Sequence, residues 1–372
     1  MAKLAWAFLK MGTIAFGGPA AHIAMMEEEF VRRRKWLTEA DFLDRLAIAN
    51  LIPGPSSTEL AIFIGYLQRG WAGLLVAGSC FIIPAALLVT TIAWFYLSFG
   101  SLPQVTGVLY GIKPAVIAII LQALWNLGRK AVKTKWLAVV GLIAVGLNVI
   151  GFAPLAVLAT SAIIAGAAAL IQQREARVHV LIPFAVSSGV GVIATAVSAP
   201  LSIVRLFFSF LKIGSIVFGS GYVLLAFLRT EFVEHLHWLT EKQLIDAVAV
   251  GQFTPGPVFT TATFIGYVIA GVRGAVVATV GIFLPGFVLV ALAGRIISKL
   301  RRSALAMTIL DGVVVASLAL MAVVAWQLGR AAIVDWLTLA ILIASAAFLF
   351  RFRTNSAWII LGAAVAGWFL KR

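Results

Sequence analysis

The feature that most constrains this chain is an internal repeat. When the sequence is shifted by 202 positions, residues 8–55 align with residues 210–257, and 20 of the 48 aligned pairs are identical. After a one-residue slip, WNLGR at 125–129 aligns with WQLGR at 326–330. We therefore predict two copies of one module, residues 1–173 and 203–372, joined by residues 174–202. Because the N-terminal apolar segment has an internal counterpart, it is predicted to belong to the mature fold and not to a cleaved signal.

Composition places this repeat in a membrane. Hydrophobic residues make up 62% of the chain and charged residues 12%, whereas soluble domains have about 45–50% and about 25%. A soluble enzyme is excluded, and the lipid bilayer is the predicted surrounding. The net charge of +15 comes from basic residues in short loops, which is typical of cytoplasmic membrane flanks and not of nucleic-acid-binding proteins. The single Cys80 excludes a disulfide framework, and no cofactor or metal site is predicted.

Each copy contains four long apolar stretches after a more polar front. They cover residues 71–98, 105–127, 136–150 and 153–171 in the first copy, and 272–294, 305–328, 334–350 and 356–370 in the second. A span needs about 20 residues, so the 15-residue stretches are short. A further apolar stretch, 180–198, has no counterpart and joins the copies. The predicted fold class is an all-α polytopic membrane protein.

The front of each copy carries glycine and proline breaks within apolar segments. The first copy has GGP at 17–19 and PGP at 53–55, and the second copy repeats PGP at 255–257. Backbone groups must be satisfied inside hydrocarbon, so broken helices are tolerated only where they line protein or a watery cavity. We expect re-entrant segments followed by about four transmembrane helices in each copy. Simple kinks in two ordinary spanning helices are the alternative.

Charge placement predicts that the two copies are inverted. Loops 129–135 and 174–177 are basic in the first copy, whereas 295–302 and 351–353 are basic in the second, so equivalent loops face opposite sides. An even number of crossings per copy is then required. Four spans plus two re-entrant hairpins meet this requirement, and six full spans would also meet it but conflict with the basic loops. The N-terminus is predicted to be cytoplasmic and the C-terminus external.

The breaks are predicted to form a cradle for a small anion. A helix that restarts at mid-membrane presents uncapped N–H groups, equivalent to about half a positive charge. Pro19, Pro55 and Pro257 suit the first helical position. The hydroxyl residues that follow are Ser56, Ser57 and Thr58 in the first copy, and Thr260, Thr261 and Thr263 in the second. Inverted repeats would bring the two cradles together near the bilayer midplane.

Ionisable residues lie in the same segments. Lys10 and Lys212 occupy equivalent positions before the first break, where a charge costs roughly 2.5–3.5 kcal/mol on insertion scales, so they either contact substrate or snorkel to the interface. Glu59, which aligns with Thr261 or its neighbour, is interpreted as a proton carrier for coupling or as a brace for a nearby cation. His22 is either a second coupling residue or structural. Lys113 and Asp311 could pair with each other, or one could face substrate.

Together, FGGP at 16–19, WLTE at 36–39 and PGP at 53–55, repeated at 210–257, give the chain a resemblance to the chromate ion transporter family in its long, two-domain form. The resemblance implies an inner-membrane protein that exports chromate, with sulfate as competitor or counter-substrate. It also implies that motif positions bind substrate: Gly17, Gly18, Pro19, Pro53, Gly54 and Pro55, with Gly219, Pro255, Gly256 and Pro257 as a weaker second set. The second copy has Ser220 and Gly221 where the first has Gly18 and Pro19, so the first copy is favoured as the binding half.

The leading hypothesis is a secondary transporter of a small oxyanion, chromate or sulfate, that rocks one repeat against the other. No Walker-type glycine loop is present, so ATP is not the direct energy source. An anion channel is the main alternative, and a membrane-embedded enzyme is the other. No catalytic residues are predicted, because the one dense acidic run, residues 27–29, is followed by basic residues 32–35. The sequence does not indicate an oligomeric state.

Overall fold

The computed structural model describes residues 1–16, 18–100, 102–174, 202–217, 223–300, 303–352 and 356–371, and all regular structure within these ranges is helical. The first repeat comprises α1 Ala2–Ile14, α2 Gly18–Glu27 with a π-helical extension Glu28–Arg33, α3 Glu39–Ala49, α4 Ser56–Phe99, α5 Pro103–Ala131, α6 Lys135–Val149 and α7 Pro154–Arg174. The second comprises α8 Ile203–Ile216, α9 Leu224–Leu228 with a π-helical extension Arg229–His235, α10 Glu241–Phe253, α11 Thr261–Leu300, α12 Ala304–Ala332, α13 Trp336–Phe352 and α14 Ser356–Leu370. The predicted joining helix at 180–198 lies outside the described residues.

The first two helices of each repeat, α1 with α2 and α8 with α9, each including the π-helical extension, form a helical hairpin. The rings of Phe8 in α1 and Phe30 in the π-helical extension of α2 lie 4.9 Å apart. The equivalent pair, Phe210 and Phe232, lies 4.8 Å apart. Residues 22 positions apart can meet in this way only if the chain reverses between them. The GGP segment therefore turns the chain back and does not kink one continuous helix.

The PGP break is the tip of a second hairpin, formed by α3 and the first part of α4. At its open end, Gln68 Nε2 donates a hydrogen bond to the carbonyl oxygen of Trp36, at 3.2 Å. In the second repeat, a side chain at Gly251 in α10 would overlap Thr261 Oγ1 at the start of α11. Both hairpins thus consist of antiparallel helical segments and not of one kinked helix, which favours the re-entrant interpretation.

A second reversal follows within α4, at Arg69–Gly70, where the backbone leaves the helical region and Gly70 has a φ of 59°. Gly65 lies before this point and Gly73 after it, and a Cβ on either would overlap the carbonyl oxygen of the other. Residues eight apart in one straight helix would be about 12 Å apart along its axis. The part of α4 that spans the membrane is therefore residues 71–99. In α11 the same arrangement occurs at Ala270–Gly271.

The long helices confirm that the repeats are inverted and show that they are intertwined. Helix α5 packs on α13 and α14, and its counterpart α12 packs on α6 and α7. Tyr110, near the start of α5, donates a hydrogen bond to Asp335, just after the end of α12, at 2.6 Å. Lys133, just after α5, pairs with Asp311 near the start of α12 at 2.8 Å. Equivalent helices therefore run antiparallel. Of the two alternatives left open for Lys113 and Asp311, the one in which they pair with each other is wrong.

Lys113 instead forms a buried link between the repeats. Its Nζ lies 3.0 Å from Oδ1 of Asp246 in α10, whose side chain is fully buried. The Tyr96 hydroxyl in α4 donates a hydrogen bond to the other oxygen of Asp246, at 3.0 Å. The equivalent carboxylate, Asp44 in α3, pairs with its neighbour Arg45 at 3.1 Å and is about half exposed. The second repeat's α10 is thus held in the interior by the first repeat, whereas α3 is more peripheral.

The close contact at Gly65 predicts a large effect of a small substitution. Gly65→Ala forces the two segments of α4 apart and is expected to destabilise the protein by about 1–3 kcal/mol. Gly128→Ala in α5 is the matched control, because a Cβ there meets nothing within 4 Å and alanine favours a helix by up to about 1 kcal/mol. Thermal unfolding in detergent micelles measures both. Equal melting temperatures for the two variants would contradict the fold-back at Arg69–Gly70.

Candidate functional site

The tips of the hairpins meet across the two repeats. The backbone N–H of Gly54, in the first PGP, donates a hydrogen bond to the carbonyl oxygen of Val217 at the end of α8, at 2.7 Å. The N–H of Gly256, in the second PGP, donates to the carbonyl oxygen of Ala15 at the end of α1, at 2.9 Å. These two contacts are related by the exchange of the repeats. Each PGP tip therefore satisfies a carbonyl that the break in the other repeat leaves without a helical partner.

Glycine is required at both tips for two reasons. Gly54 has a φ of 127° and Gly256 has a φ of 88°, values that side-chain-bearing residues rarely adopt. A Cβ on Gly54 would also overlap Oε1 of Glu59, and one on Gly256 would lie 2.6 Å from the Cβ of Ala85. The flanking Pro53, Pro55, Pro255 and Pro257 frame these glycines. The predicted PGP positions are thus brought together at the centre of the fold.

The first turn of α4 follows the first PGP directly. Pro55 occupies the N-cap position, with an extended ψ of 101°, and Ser56 is the first helical residue. The prediction that Pro55 is the first helical residue is therefore wrong by one position, because an N-cap has non-helical backbone angles. Ser56, Ser57 and Thr58 are all at most 5% exposed. Within the described residues, Thr58 Oγ1 has no hydrogen-bond partner.

His22 connects the first hairpin to this turn. Its Nε2 lies 3.0 Å from the carbonyl oxygen of Ala15, and its Nδ1 lies 3.3 Å from the Ser57 hydroxyl. A carbonyl only accepts, so the proton is on Nε2, and Nδ1 accepts from Ser57 in the neutral ring. His22 is 1% exposed. Both ring nitrogens are used in holding the two tips together, which favours the structural interpretation of this residue.

Glu59 is the most unusual residue at the tips. Its side chain is fully buried, and neither carboxylate oxygen has a hydrogen-bond partner within the described part of the chain. The carboxyl lies beside Gly54 and faces Gly286 of α11, where an added Cβ would be 3.8 Å from Oε1. No cation of the described residues contacts it. The structure therefore does not support the interpretation of Glu59 as a brace for a nearby lysine or arginine.

The second tip differs from the first. Pro257 precedes a short 3₁₀ turn, Val258–Thr260, so α11 itself begins only at Thr261. Thr260 and Thr261 donate their hydroxyls to the carbonyl oxygens of Pro257 and Val258, both at 2.8 Å. These hydroxyls stabilise the turn and are not free for a ligand. Sequence reasoning missed Gln252, a buried residue just before this tip whose Nε2 has no partner among the described residues.

The remaining predicted residues are distributed unevenly. Gly18 has a φ of 75° and begins α2, followed by Pro19, whereas Gly17 and Gly219 lie outside the described residues. Lys10 is exposed in a cleft of about 360 Å³ beside Glu28, Glu29 and Arg33. Lys212 pairs with Glu231 at 2.8 Å and its side chain is 47% exposed. The structure does not bring the two lysines to the PGP tips.

Comparison with known proteins assigns the family. The family model described as Chromate transporter matches residues 2–197 and again residues 204–368. The chain belongs to the chromate transporter family. The double match agrees with the two repeats that the sequence and the antiparallel helices show, and the resemblance noted from the FGGP, WLTE and PGP motifs is confirmed.

Individual family members align over nearly the whole chain. A chromate transport protein of Cupriavidus metallidurans is 34% identical, and the match covers 98% of this chain and 92% of that protein. A probable chromate transport protein of Synechococcus elongatus is 32% identical over 88% of this chain and 84% of its own length. A chromate transport protein of Pseudomonas aeruginosa is 30% identical over 97% and 90%. No solved structure matches the chain.

The tip geometry predicts the effect of Gly54→Ala. Both the positive φ and the overlap with Glu59 oppose a side chain there, so chromate transport in proteoliposomes should be lost. Gly151→Ala is the matched control, since Gly151 has a similar φ of 102° but open space around its Cβ position. Both variants share a backbone strain of about 1–3 kcal/mol. If Gly54→Ala transports as well as Gly151→Ala, the tip contact is not needed for function.

Proposed function

We propose that this protein is a secondary transporter that exports chromate across the cell inner membrane, with the oxyanion held where the PGP tips meet. The reciprocal hydrogen bonds of Gly54 and Gly256 carry the proposal. They place the broken helix ends of both repeats at one point between inverted modules. That is the arrangement by which secondary transporters bind substrate near the bilayer midplane.

The first turn of α4 has the chemistry for an oxyanion. Its N-terminal N–H groups favour negative charge. The Thr58 hydroxyl is a buried donor without a partner, and Gln252 supplies an amide donor beside the opposite tip. A tetrahedral dianion is well served by several neutral donors, which hold it weakly enough for release. Sulfate has the same charge and shape as chromate, so we propose it as competitor or counter-substrate.

The site is closed in this structure, which implies alternating access. Ser56, Ser57 and Thr58 are buried, so an anion can reach them only after the repeats separate on one side. We propose that modules 1–173 and 203–372, joined by residues 174–202, rock against each other around the tips. Lys10 and Lys212 would then attract anions at the hairpin surfaces, while the tips bind them.

Thr58→Val tests the oxyanion site with little change in shape. A hydrogen bond to a charged group contributes about 1.5–3 kcal/mol, so the variant should bind chromate about tenfold or more weakly. The matched control is Thr91→Val in the same helix, because the Thr91 hydroxyl is exposed and bonds only the carbonyl of Leu87. Chromate counterflow in proteoliposomes is the measurement. Unchanged affinity in Thr58→Val would remove this residue from the site, and flux without counterflow would indicate a channel.

Orientation can be tested by labelling single cysteines introduced after Cys80→Ala. We propose a cytoplasmic N-terminus, because the basic loops then lie on the cytoplasmic side. Cysteines replacing Ala131 and Lys299 should react with a membrane-impermeant reagent only from the cytoplasmic side. A cysteine replacing Val334, which is 66% exposed, should react only from the opposite side. Labelling of all three from one side would contradict the proposed orientation.

A further inference from the structure

We propose that Glu59 binds a proton in each transport cycle, and that this proton crosses the membrane with the oxyanion in the same direction. The inference rests on the proposed transport function and deepens it. It starts from a buried carboxyl at the meeting point of the tips, with both oxygens lacking a partner among the described residues. A bare carboxylate in such surroundings is strongly unfavourable, so its charge must be neutralised. With no cation in contact, a bound proton does this.

One glycine from each repeat leaves space for the Glu59 carboxyl. Gly54 lies so close that any Cβ would overlap Oε1, and Gly286 of α11 leaves the opposite side open. Different residues occupy the equivalent positions in the other half of the pseudo-symmetric pair. There Thr260 bonds to the backbone of its own turn, and Ala85 stands where Gly286 would be, close against Gly256. The first repeat therefore has a titratable group at this position, and the second repeat has a threonine. We accordingly expect one proton to be bound in each transport cycle.

The other charged groups near this position have partners or face away. Helices α1, α2, α3, α10 and α11 pack against α4 or its tip. The charged and histidine side chains that can be described on these helices fall into two groups. Those with partners are His22, bonded to Ala15 and Ser57; Glu27, paired with Arg32; Asp44 and Arg45, paired with each other; Glu241, paired with Arg229; and Asp246, paired with Lys113. Those that are exposed are Lys3, Lys10, Glu39, Asp41, Lys242 and Arg273. His22 is the nearest alternative proton carrier, since Ser57 links it to the same turn. Its ring already bonds two groups in the neutral form, whereas Glu59 bonds none.

Electrostatics sets the direction of coupling. Glu59 and the anion-binding N–H groups belong to the same turn of α4, so an ionised Glu59 would repel a bound dianion. Protonation of Glu59 therefore strengthens anion binding, and anion binding strengthens protonation by the same factor. Proton and oxyanion then occupy the closed site together and leave it on the same side.

The test measures how a pH gradient shifts the chromate distribution at zero net flux. Proteoliposomes are held with the membrane potential clamped by potassium and valinomycin. For one coupled proton the inside-to-outside chromate ratio changes about tenfold per pH unit, because one unit is 1.36 kcal/mol. Glu59→Gln keeps the side-chain shape but cannot titrate, so it should retain chromate counterflow and lose this shift. The shift that remains in Glu59→Gln under the same gradient measures the contribution from protonation of chromate itself, and it is subtracted from the wild-type shift.

Controls keep the outcomes distinct. Glu39→Gln removes an exposed carboxyl at the start of α3 and should show the full wild-type shift, and Glu59→Asp should retain part of it. In the wild type, chromate entry should be accompanied by acidification of the vesicle interior, reported by a trapped pH-sensitive dye. An equal shift in wild type and Glu59→Gln would overturn the coupling role, and a hundredfold shift per unit would overturn the single-proton count. Absence of any wild-type chromate flux would instead overturn the transport function.

Discussion

The structure depends on satisfying the backbone at buried helix breaks. Hydrocarbon offers no hydrogen bonds, so every interruption needs a partner from protein. The carbonyls of Ala15 and Val217, at the ends of α1 and α8, receive theirs from the glycine N–H of the opposite repeat. Both contacts cross between the repeats, and at Ala15 the His22 ring of the same repeat is a second donor. Inversion and interlocking are therefore consequences of one requirement, and the place where it is met is also where broken helix ends can bind an anion.

The two tips depart from the pseudo-symmetry of the repeats. They share their glycines and their reciprocal contacts, yet among the described residues Thr58 and Glu59 at the first tip have no side-chain partners, while the second has its threonine hydroxyls bonded to its own turn. A group that is buried and unsatisfied is costly and persists only where something compensates. The asymmetry supports binding and coupling in the first repeat, with the second repeat providing the supporting turn.

The sequence was sufficient for the architecture because repeat, hydropathy and charge are local patterns. The two modules, their inversion and the breaks at PGP could all be predicted from these patterns. The contacts between modules could not: Gly54 and Val217 are far apart in sequence, and nothing in either segment identifies its partner. The same limit explains why Lys133, and not Lys113, pairs with Asp311. Gln252 was missed because only the structure shows that its amide is buried and has no partner among the described residues.

The uneven anchoring of the hairpins favours one of them as the part that moves in the proposed cycle. Separating α10 from the first repeat would break the link of Asp246 to Lys113 and Tyr96, and leaving one member of a buried ion pair alone costs about 3–5 kcal/mol. In α3 the equivalent carboxylate, Asp44, is 45% exposed, and most of α3 is only partly buried or exposed. Opening by movement of the α3 hairpin therefore breaks fewer buried polar contacts. That hairpin continues directly into Ser56–Glu59, so its motion would expose the anion-binding turn and the carboxyl of Glu59 in one step.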